Sequence, residues 1–208
     1  MIAPLRSLYA RSPQDQRLLR FLLSSMEPCR LEALYIGFAW GEDFYSWLPI
    51  SWGTHVELQW SGMEIDRKAC EQMQQVIGGR ARIFHGNLLR SEIPESDIIV
   101  AGHTWTPKVS NTLAGMQRLL ERTRMVLFAR DNKLPEAYLH DMAPDFRVFR
   151  HHFNVPGKVW HCSAHGYHIF IRRSVDLSNL YENAWVDLLE SKAESRYNEP
   201  TANRAEAH

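Results

Sequence analysis

Two polar side chains in the sequence follow predicted strands and could bind or activate a ligand. Glu64 ends the segment THVELQWSGME, and His103 follows the apolar segment SDIIVAG. A carboxylate at the end of a strand can accept hydrogen bonds from both hydroxyls of a vicinal diol, and a histidine can act as a general base or contact a substrate. Each residue also has a simpler interpretation, because Glu64 could cap or pair at the sheet edge and His103 could cap the helix that begins near Pro107.

A glycine turn precedes both residues in the chain. The apolar segment 34–36 ends at Gly37, Gly41 follows four residues later, and an acidic-aromatic segment then begins a predicted helix. Glycine lets the backbone turn tightly and lets a ligand approach N–H groups that no side chain covers. Trp40 lies inside the turn and could cover a ligand, although a packing role suits this aromatic residue equally well. The stretch 31–48 therefore predicts a strand, a ligand-binding turn and a helix N-terminus.

These residues depend for their positions on a pattern of alternating strands and helices. Strands are predicted in five segments: 34–36, 54–65, 81–89, 96–105 and 124–132. Helices are predicted before or between them: 12–27, 42–48, 67–77, 106–120 and 134–142. The unbroken apolar run 98–101 is typical of a central strand that is buried on both faces.

The alternation stops after the fifth strand. Segments 146–155 and 159–173 are both strand-like, and Pro156-Gly157 between them is a hairpin signal. Five strand–helix alternations followed by an antiparallel pair predict an α/β fold: a doubly wound, mostly parallel sheet flanked by helices, with a C-terminal antiparallel β-hairpin.

The chain is expected to form a single domain over residues 1–191. Within this domain, the N-terminal helix 12–27 is expected to lie over the site, and a final helix is predicted at about 178–190. The segment 192–208 is polar and low in apolar residues, so it is expected to be a disordered tail.

The order and spacing of these elements over residues 12–175 resemble the class I S-adenosylmethionine-dependent methyltransferase superfamily. In that family the first strand ends in an acidic residue followed by a GxGxG turn. Gly37 and Gly41 match the outer glycines, and Ala39 replaces the middle one. Tyr35 stands where the family has a carboxylate that helps to organise the methionine end of the cofactor. The resemblance therefore implies S-adenosylmethionine as the cofactor, bound by a divergent glycine motif.

The resemblance extends to the ends of the second and third strands. Glu64 falls where the family's carboxylate accepts hydrogen bonds from both ribose hydroxyls, and Ile65 falls where a side chain packs on adenine. Asn87, with Leu88 beside it, occupies the place of a polar side chain that contacts the adenine amino group. An asparagine after a glycine is also an ordinary turn pair, so Asn87 has two interpretations at this point.

The end of the fourth strand completes the implied site. Members of the family place catalytic or substrate-contacting residues there, and ligands of open α/β sheets lie outside the carboxyl ends of the strands. By this resemblance His103 is the candidate catalytic residue, with Trp105 as a wall of the substrate pocket and Trp40 as a further substrate-binding candidate.

Two other groups of residues suggest chemistry more weakly. Five histidines fall in the C-terminal strand pair: His151, His152, His161, His165 and His168. They lack Asp, Glu or Cys partners at a defined spacing, so no metal site is predicted. Three arginines fall close together near one predicted helix end: Arg118, Arg122 and Arg124. They could form a basic patch, but a solvated helix face is the simpler interpretation.

The composition bounds the class of protein. Lys plus Arg and Asp plus Glu both number 24, so the formal net charge is zero, which argues mildly against a dedicated nucleic-acid binder. Cys29, Cys70 and Cys162 contain no CxxC pair and indicate a reducing compartment. No signal peptide and no apolar run of about 18 residues is present. We therefore expect a soluble, cytoplasmic protein with no membrane association.

The sequence thus predicts a methyltransferase that binds S-adenosylmethionine and acts on a small-molecule methyl acceptor, without a metal. The alternative is a non-catalytic binding or scaffolding protein on the same fold with a degenerate cofactor site, which Tyr35 and Ala39 suggest. A nicotinamide-dependent oxidoreductase is disfavoured, because its fingerprint G-x-G-x-x-G is not present at the glycine turn. A homodimer or a protein partner is left open by the sequence.

Overall fold

The computed structural model describes residues 13–39, 41–102, 109–131, 141–152 and 166–178. The strands are β1 (Cys29–Ile36), β2 (Val56–Glu64), β3 (Ala81–His85), β4 (Ser96–Ala101), β5 (Thr123–Asp131), β6 (Phe146–His152) and β7 (Gly166–Arg172). The helices are α1 (Pro13–Ser24), α2 (Glu42–Trp47), α3 (Arg67–Ile77) and α4 (Val109–Arg122).

The strands form one seven-stranded sheet in the order β3-β2-β1-β4-β5-β7-β6. The pairs β1–β2, β1–β4, β2–β3 and β4–β5 are parallel, whereas β7 is antiparallel to both β5 and β6. The predicted mostly parallel sheet with a C-terminal antiparallel pair is therefore confirmed. The strand order reverses between β1 and β4, and open α/β sheets bind their ligands at such a switch point.

The central strands are buried on both faces because helices cover both. Successive residues of β4 point to opposite sides, so Ile98 and Ile99 are both fully buried but in different apolar clusters. Side chains of α1, α2 and α3 belong to one cluster, and those of α4 to the other. The unbroken apolar run in the sequence correctly predicted this doubly covered strand.

Helix α3 begins and ends at the residues that its sequence predicts. The Asp66 carboxylate at its N-cap accepts hydrogen bonds from the N–H groups of Lys68 and Ala69, at 2.8 and 3.3 Å. Gly78 at its C-cap has a left-handed backbone with φ 55°, a conformation that glycine adopts without steric cost. The predicted range 67–77 is confirmed.

Other bounds differ from the prediction. Strand β1 begins at Cys29, well before the predicted segment 34–36, and α1 ends at Ser24. The expected regular alternation is wrong between β3 and β4, because residues 86–95 contain no helix. The Gly86-Asn87 pair forms a turn there, and the ten-residue connection also contains Pro94, which cannot donate a helical hydrogen bond.

Several predictions fall outside the described residues. They concern most of the helix 134–142, the hairpin tip at Pro156-Gly157, the final helix beyond Ser178 and the tail 192–208. Among the helices that the structure describes, none is both long enough and apolar enough to cross a membrane.

Candidate functional site

The carboxyl ends of four neighbouring strands are joined edge to edge by backbone hydrogen bonds. Each bond runs from the residue just after one strand to the last turn of the next: Gly102 N to Ile36 O at 2.8 Å, Gly37 N to Met63 O at 2.9 Å and Gly86 N to Glu64 O at 2.8 Å. The glycine turn, the end of β2 and the loop after β3 therefore lie along one edge of the sheet, as the sequence predicts for a common site.

Glu64 is the centre of this edge. Its side chain is only 7% exposed. Its Oε2 accepts a hydrogen bond from the Ala39 N–H at 2.7 Å, and its Oε1 accepts from the N–H of Ile65 at 2.7 Å and of Asp66 at 3.3 Å. A carboxylate has about four acceptor positions, so a lone pair of Oε2 remains for a ligand. Glu64 therefore ties the glycine turn to β2 and can still accept from a hydroxyl group.

The turn 37–41 keeps a glycine-type backbone although its middle residue is alanine. Gly37, Ala39 and Gly41 have φ values of 72°, 48° and 88°, and Gly41 N donates to Phe38 O at 2.7 Å. A left-handed backbone costs a non-glycine residue roughly 1–2 kcal/mol. The bond from Ala39 to the Glu64 carboxylate offsets this cost, because hydrogen bonds to charged acceptors are among the stronger ones.

The position of Gly41 also explains why it has no side chain. A Cβ there would lie 2.5 Å from Sδ of Met73, which belongs to α3. Helix α3 thus packs directly against the backbone at the end of the turn, and the turn is held from both β2 and α3.

Tyr35 lies in the core beneath the turn. It is fully buried, and its ring centroid lies 5.1 Å from that of Phe44, which stacks in turn on Phe38 at 5.8 Å. A Cβ added at Gly102 would lie 2.8 Å from the Tyr35 Oη and 2.9 Å from the Gly37 O. The tyrosine therefore reaches the end of β4, where the related proteins' carboxylate is replaced by an aromatic side chain packed among others.

Sequence reasoning did not identify Phe38, Phe44 or Gly102 as parts of this edge. Gly102 ends the clearest strand of the sequence, and a glycine at such a position is a signal that the backbone is approached closely. The aromatic residues carry no comparable signal, because phenylalanines at these positions are equally compatible with an ordinary core.

Ile65 provides an apolar surface beside the carboxylate. Its side chain is 61% exposed, and its carbonyl oxygen lies 2.9 Å from Nε2 of His85. An exposed large aliphatic side chain next to a buried acceptor suits a ligand with a flat apolar ring and a hydroxylated part. The placement agrees with the site that the sequence suggests, although no ligand is present to test the role.

Asn87 is part of a turn. Its Oδ1 accepts from the Leu89 N–H at 2.8 Å, and its own N–H donates to Oγ of Ser91 at 2.9 Å. The ordinary turn role considered for Asn87 is therefore present. The amide Nδ2 is the part of the side chain that could face a ligand, and Leu88 beside it is half-buried.

Cys70 lies directly below Glu64. Its thiol approaches the carbonyl oxygens of Glu64 and Phe84 at 3.5 and 3.6 Å. Burial raises the pKa of Cys70 above its ordinary value of 9.0, and the negative charge of Glu64 raises it further. Cys70 is thus a buried neutral thiol that supports the end of β2.

The remaining predicted site residues lie outside the described part of the chain. These are His103, Trp105 and Trp40. Of the five histidines, His168 is buried on β7, and the described residues contain no group of three or more His, Cys, Asp or Glu side chains that could hold a metal ion.

The three arginines do not form a common basic patch. Arg122 lies 3.7 Å from Glu95, and Arg124 lies 3.0 Å from Asp97. Arg118 instead binds the carbonyl oxygens of Leu88 and Ser91. Each guanidinium therefore has a partner among the described residues.

Comparison with known proteins gives the fold a name. No protein-family model matches the sequence, and no curated protein matches it. A Pyrococcus horikoshii protein provisionally named an RNA methyltransferase has 16% identity and a TM-score of 0.54, over 76% of this chain and 82% of that one. A TehB-like SAM-dependent methyltransferase from Corynebacterium glutamicum has 12% identity and a TM-score of 0.52, over 74% and 86%.

A third similar structure was solved with a ligand. Magnesium protoporphyrin IX methyltransferase from Synechocystis, with bound SAH, has 11% identity and a TM-score of 0.56, over 76% of this chain and 82% of that one. Similarity at these identities establishes the fold. The chain therefore has the class I S-adenosylmethionine-dependent methyltransferase fold.

Proposed function

We propose that this protein is an S-adenosylmethionine-dependent methyltransferase. The observation that carries the proposal is the 2.7 Å hydrogen bond from the Ala39 N–H to the Glu64 carboxylate. It joins the glycine turn after β1 to the acidic end of β2, at the switch point of the sheet. Such an arrangement is suited to a nucleoside ligand, which needs an acceptor for its hydroxyls and open backbone for its other end.

The residues present fit this cofactor at three places. Glu64 would accept from a ribose hydroxyl through its remaining lone pair, and the exposed side chain of Ile65 would pack on the adenine. Asn87 and Leu88 would contact the edge of the base. The turn 37–41 would lie against the methionine part, where Tyr35, Gly37, Ale-type backbone at Ala39 and Gly41 leave little side-chain bulk above the turn.

The bound cofactor would supply an activated methyl group on a sulfonium centre. The protein's own contribution is chiefly to hold the methyl acceptor in line with that group. We further propose that His103 takes a proton from the acceptor, with Trp105 and Trp40 enclosing the acceptor. These three assignments rest on sequence position and on the fold's usual use of the strand end.

We propose a small molecule as the acceptor. The zero net charge of the chain favours this over a nucleic acid. The similar structures include proteins named for RNA and for a porphyrin, so the shared fold does not choose between acceptors. A cytoplasmic location and a homodimer stay predictions from the sequence.

Calorimetric titration tests the proposed cofactor. S-adenosylmethionine and S-adenosylhomocysteine should each bind the folded protein with measurable heat at high micromolar concentration, whereas NADH, used as the control dinucleotide, should not. Absence of heat with both sulfur nucleosides, from protein that melts cooperatively, would contradict the proposal.

A second candidate is a non-catalytic binding protein on this fold, and Tyr35 is the observation that favours it. The fully buried ring packs on Phe44, so the carboxylate of the related enzymes has no substitute in the described residues at that position. If this candidate is correct, Tyr35→Asp and Ala39→Gly leave the function of the protein unchanged. An increase in affinity for S-adenosylhomocysteine in either variant would argue against it.

A further inference from the structure

The connection between β3 and β4 is a compact loop rather than a helix. Within it, the Asn87 carbonyl oxygen accepts from the N–H groups of Arg90 at 2.9 Å and Ser91 at 2.8 Å. The Asn87 N–H donates to Oγ of Ser91, and the Asn87 side chain accepts from Leu89. The segment 87–91 therefore has a defined shape that is set mainly by bonds to Asn87.

Arg118 of α4 attaches this loop to the body of the protein. Its Nη1 donates to the carbonyl oxygen of Leu88, and its Nη2 donates to that of Ser91 at 2.6 Å. The side chain is half-buried, so the charged guanidinium is partly removed from water. A guanidinium presents several donors in a fixed plane, and two carbonyls held by one such group cannot move independently.

Gly115 makes the second contact between α4 and the loop. It precedes Arg118 by three residues, so the two lie on the same helix face. A Cβ at Gly115 would lie 3.0 Å from Cδ2 of Leu88, which is closer than ordinary van der Waals contact. Leu88 is thus seated on α4 at a place where only glycine leaves enough room.

Arg122, one turn further along α4, shows how the neighbouring arginine differs. It faces the same connection but lies 3.7 Å from Glu95, and the two side chains are 45% and 61% exposed. An exposed pair of this kind contributes little to stability. Arg122 is therefore a matched control, since it has the same helix, the same charge and a partner in the same loop.

We propose that Arg118 is a positioning residue that determines how the protein recognises the base of its nucleoside ligand. It acts through Leu88 and Ser91, which fix Asn87 at the edge of the base pocket, and Gly115 allows Leu88 to take its place. The inference rests on the proposed function, because it assumes that Asn87 and Leu88 contact the base. Arg118 itself lies behind the loop and contacts no ligand.

The experiment compares two ligands in five proteins. S-adenosylhomocysteine and its 6-keto analogue S-inosylhomocysteine are titrated calorimetrically into the wild type, Arg118→Met, Arg118→Lys, Gly115→Ala and Arg122→Met. The ratio of the two dissociation constants measures recognition of the 6-amino group. Thermal unfolding of each variant is recorded alongside, because a purely structural role would lower stability and leave this ratio unchanged.

The wild type should prefer the adenine ligand by about ten-fold, the size of one well-placed hydrogen bond. Arg118→Met should remove most of this preference and weaken S-adenosylhomocysteine binding by about ten-fold, because two charge-assisted bonds are lost. Arg118→Lys should recover part of the preference through one carbonyl, and Gly115→Ala should reduce it by displacing Leu88. Arg122→Met should retain wild-type values within about two-fold.

Two results overturn the inference, and they differ in what they leave standing. If the wild type shows the preference and the folded Arg118→Lys and Gly115→Ala variants retain it fully, Arg118 has no positioning role but the proposed cofactor stands. If the wild type binds neither ligand, the proposed function fails and this inference fails with it.

Discussion

Replacing Glu64 by glutamine should separate the two halves of the site, and its effect can be estimated from the hydrogen bonds. The carboxylate accepts from Ala39 through one oxygen and from Ile65 and Asp66 through the other. Glutamine has one acceptor oxygen and one donor nitrogen. In either orientation, its amide nitrogen therefore faces a backbone N–H that has lost its acceptor.

The cost follows from the strength of such bonds. Hydrogen bonds to charged groups contribute about 1.5–3 kcal/mol each, and Glu64 is 7% exposed, so water can replace them only poorly. We expect Glu64→Gln to lower the free energy of unfolding by about 2 kcal/mol, which in a chain of this length lowers the melting temperature by about 4–8 °C.

Urea unfolding monitored by circular dichroism gives this difference at constant m value. Glu57→Gln is the control, because Glu57 is an exposed glutamate at the other end of β2. It should change the stability by less than about 0.5 kcal/mol. Glu64→Gln should also weaken S-adenosylhomocysteine binding by about ten-fold, since a charged acceptor is lost.

Either of two results would refute the reasoning. A Glu64→Gln protein as stable as Glu57→Gln would show that the carboxylate does not hold the glycine turn. A destabilised Glu64→Gln protein that binds the nucleoside as tightly as the wild type would show that the carboxylate does not receive the ribose.

Two further predictions follow from the same edge of the sheet. Ala39→Gly should raise the free energy of unfolding by about 0.5 kcal/mol, because relief of the left-handed backbone outweighs the added freedom of the unfolded chain; in urea unfolding, the exposed helical control Ala114→Gly should instead lose about 1 kcal/mol, and a loss in Ala39→Gly would contradict the strain. The raised pKa of Cys70 means that folded protein keeps the thiol proton to a higher pH than unfolded protein. Its contribution to stability is therefore present below about pH 9 and is lost as the pH rises further. The stability difference between wild type and Cys70→Ala should shrink from pH 8 to pH 10, and a constant difference would argue against the shift.

Much of the fold could be predicted because it depends on local patterns. The apolar run 98–101 identifies a strand buried on both faces, and Asp66 and Gly78 mark the two ends of α3 through cap chemistry that acts within a few residues. The connection 86–95 was predicted less well. Its shape depends on Asn87 bonds and on Arg118, which is some 30 residues from Leu88 in the chain.

The site was predictable in its positions but not in its contacts. Glu64 could be identified because strand ends meet at one edge of a parallel sheet. Its bond to Ala39 could not, since it requires the left-handed backbone that an alanine rarely adopts. The substitution of Tyr35 for a carboxylate was visible in the sequence, but its packing on Phe44 depends on how α2 lies over β1.

A crystal structure of the protein with S-adenosylhomocysteine tests the central claim most directly. We expect a ribose hydroxyl within hydrogen-bonding distance of the Glu64 Oε2, the adenine against Ile65 and the homocysteine part over the turn 37–41. Density for the nucleoside at another place on the sheet, with Glu64 still bonded only to its three backbone N–H groups, would contradict the claim.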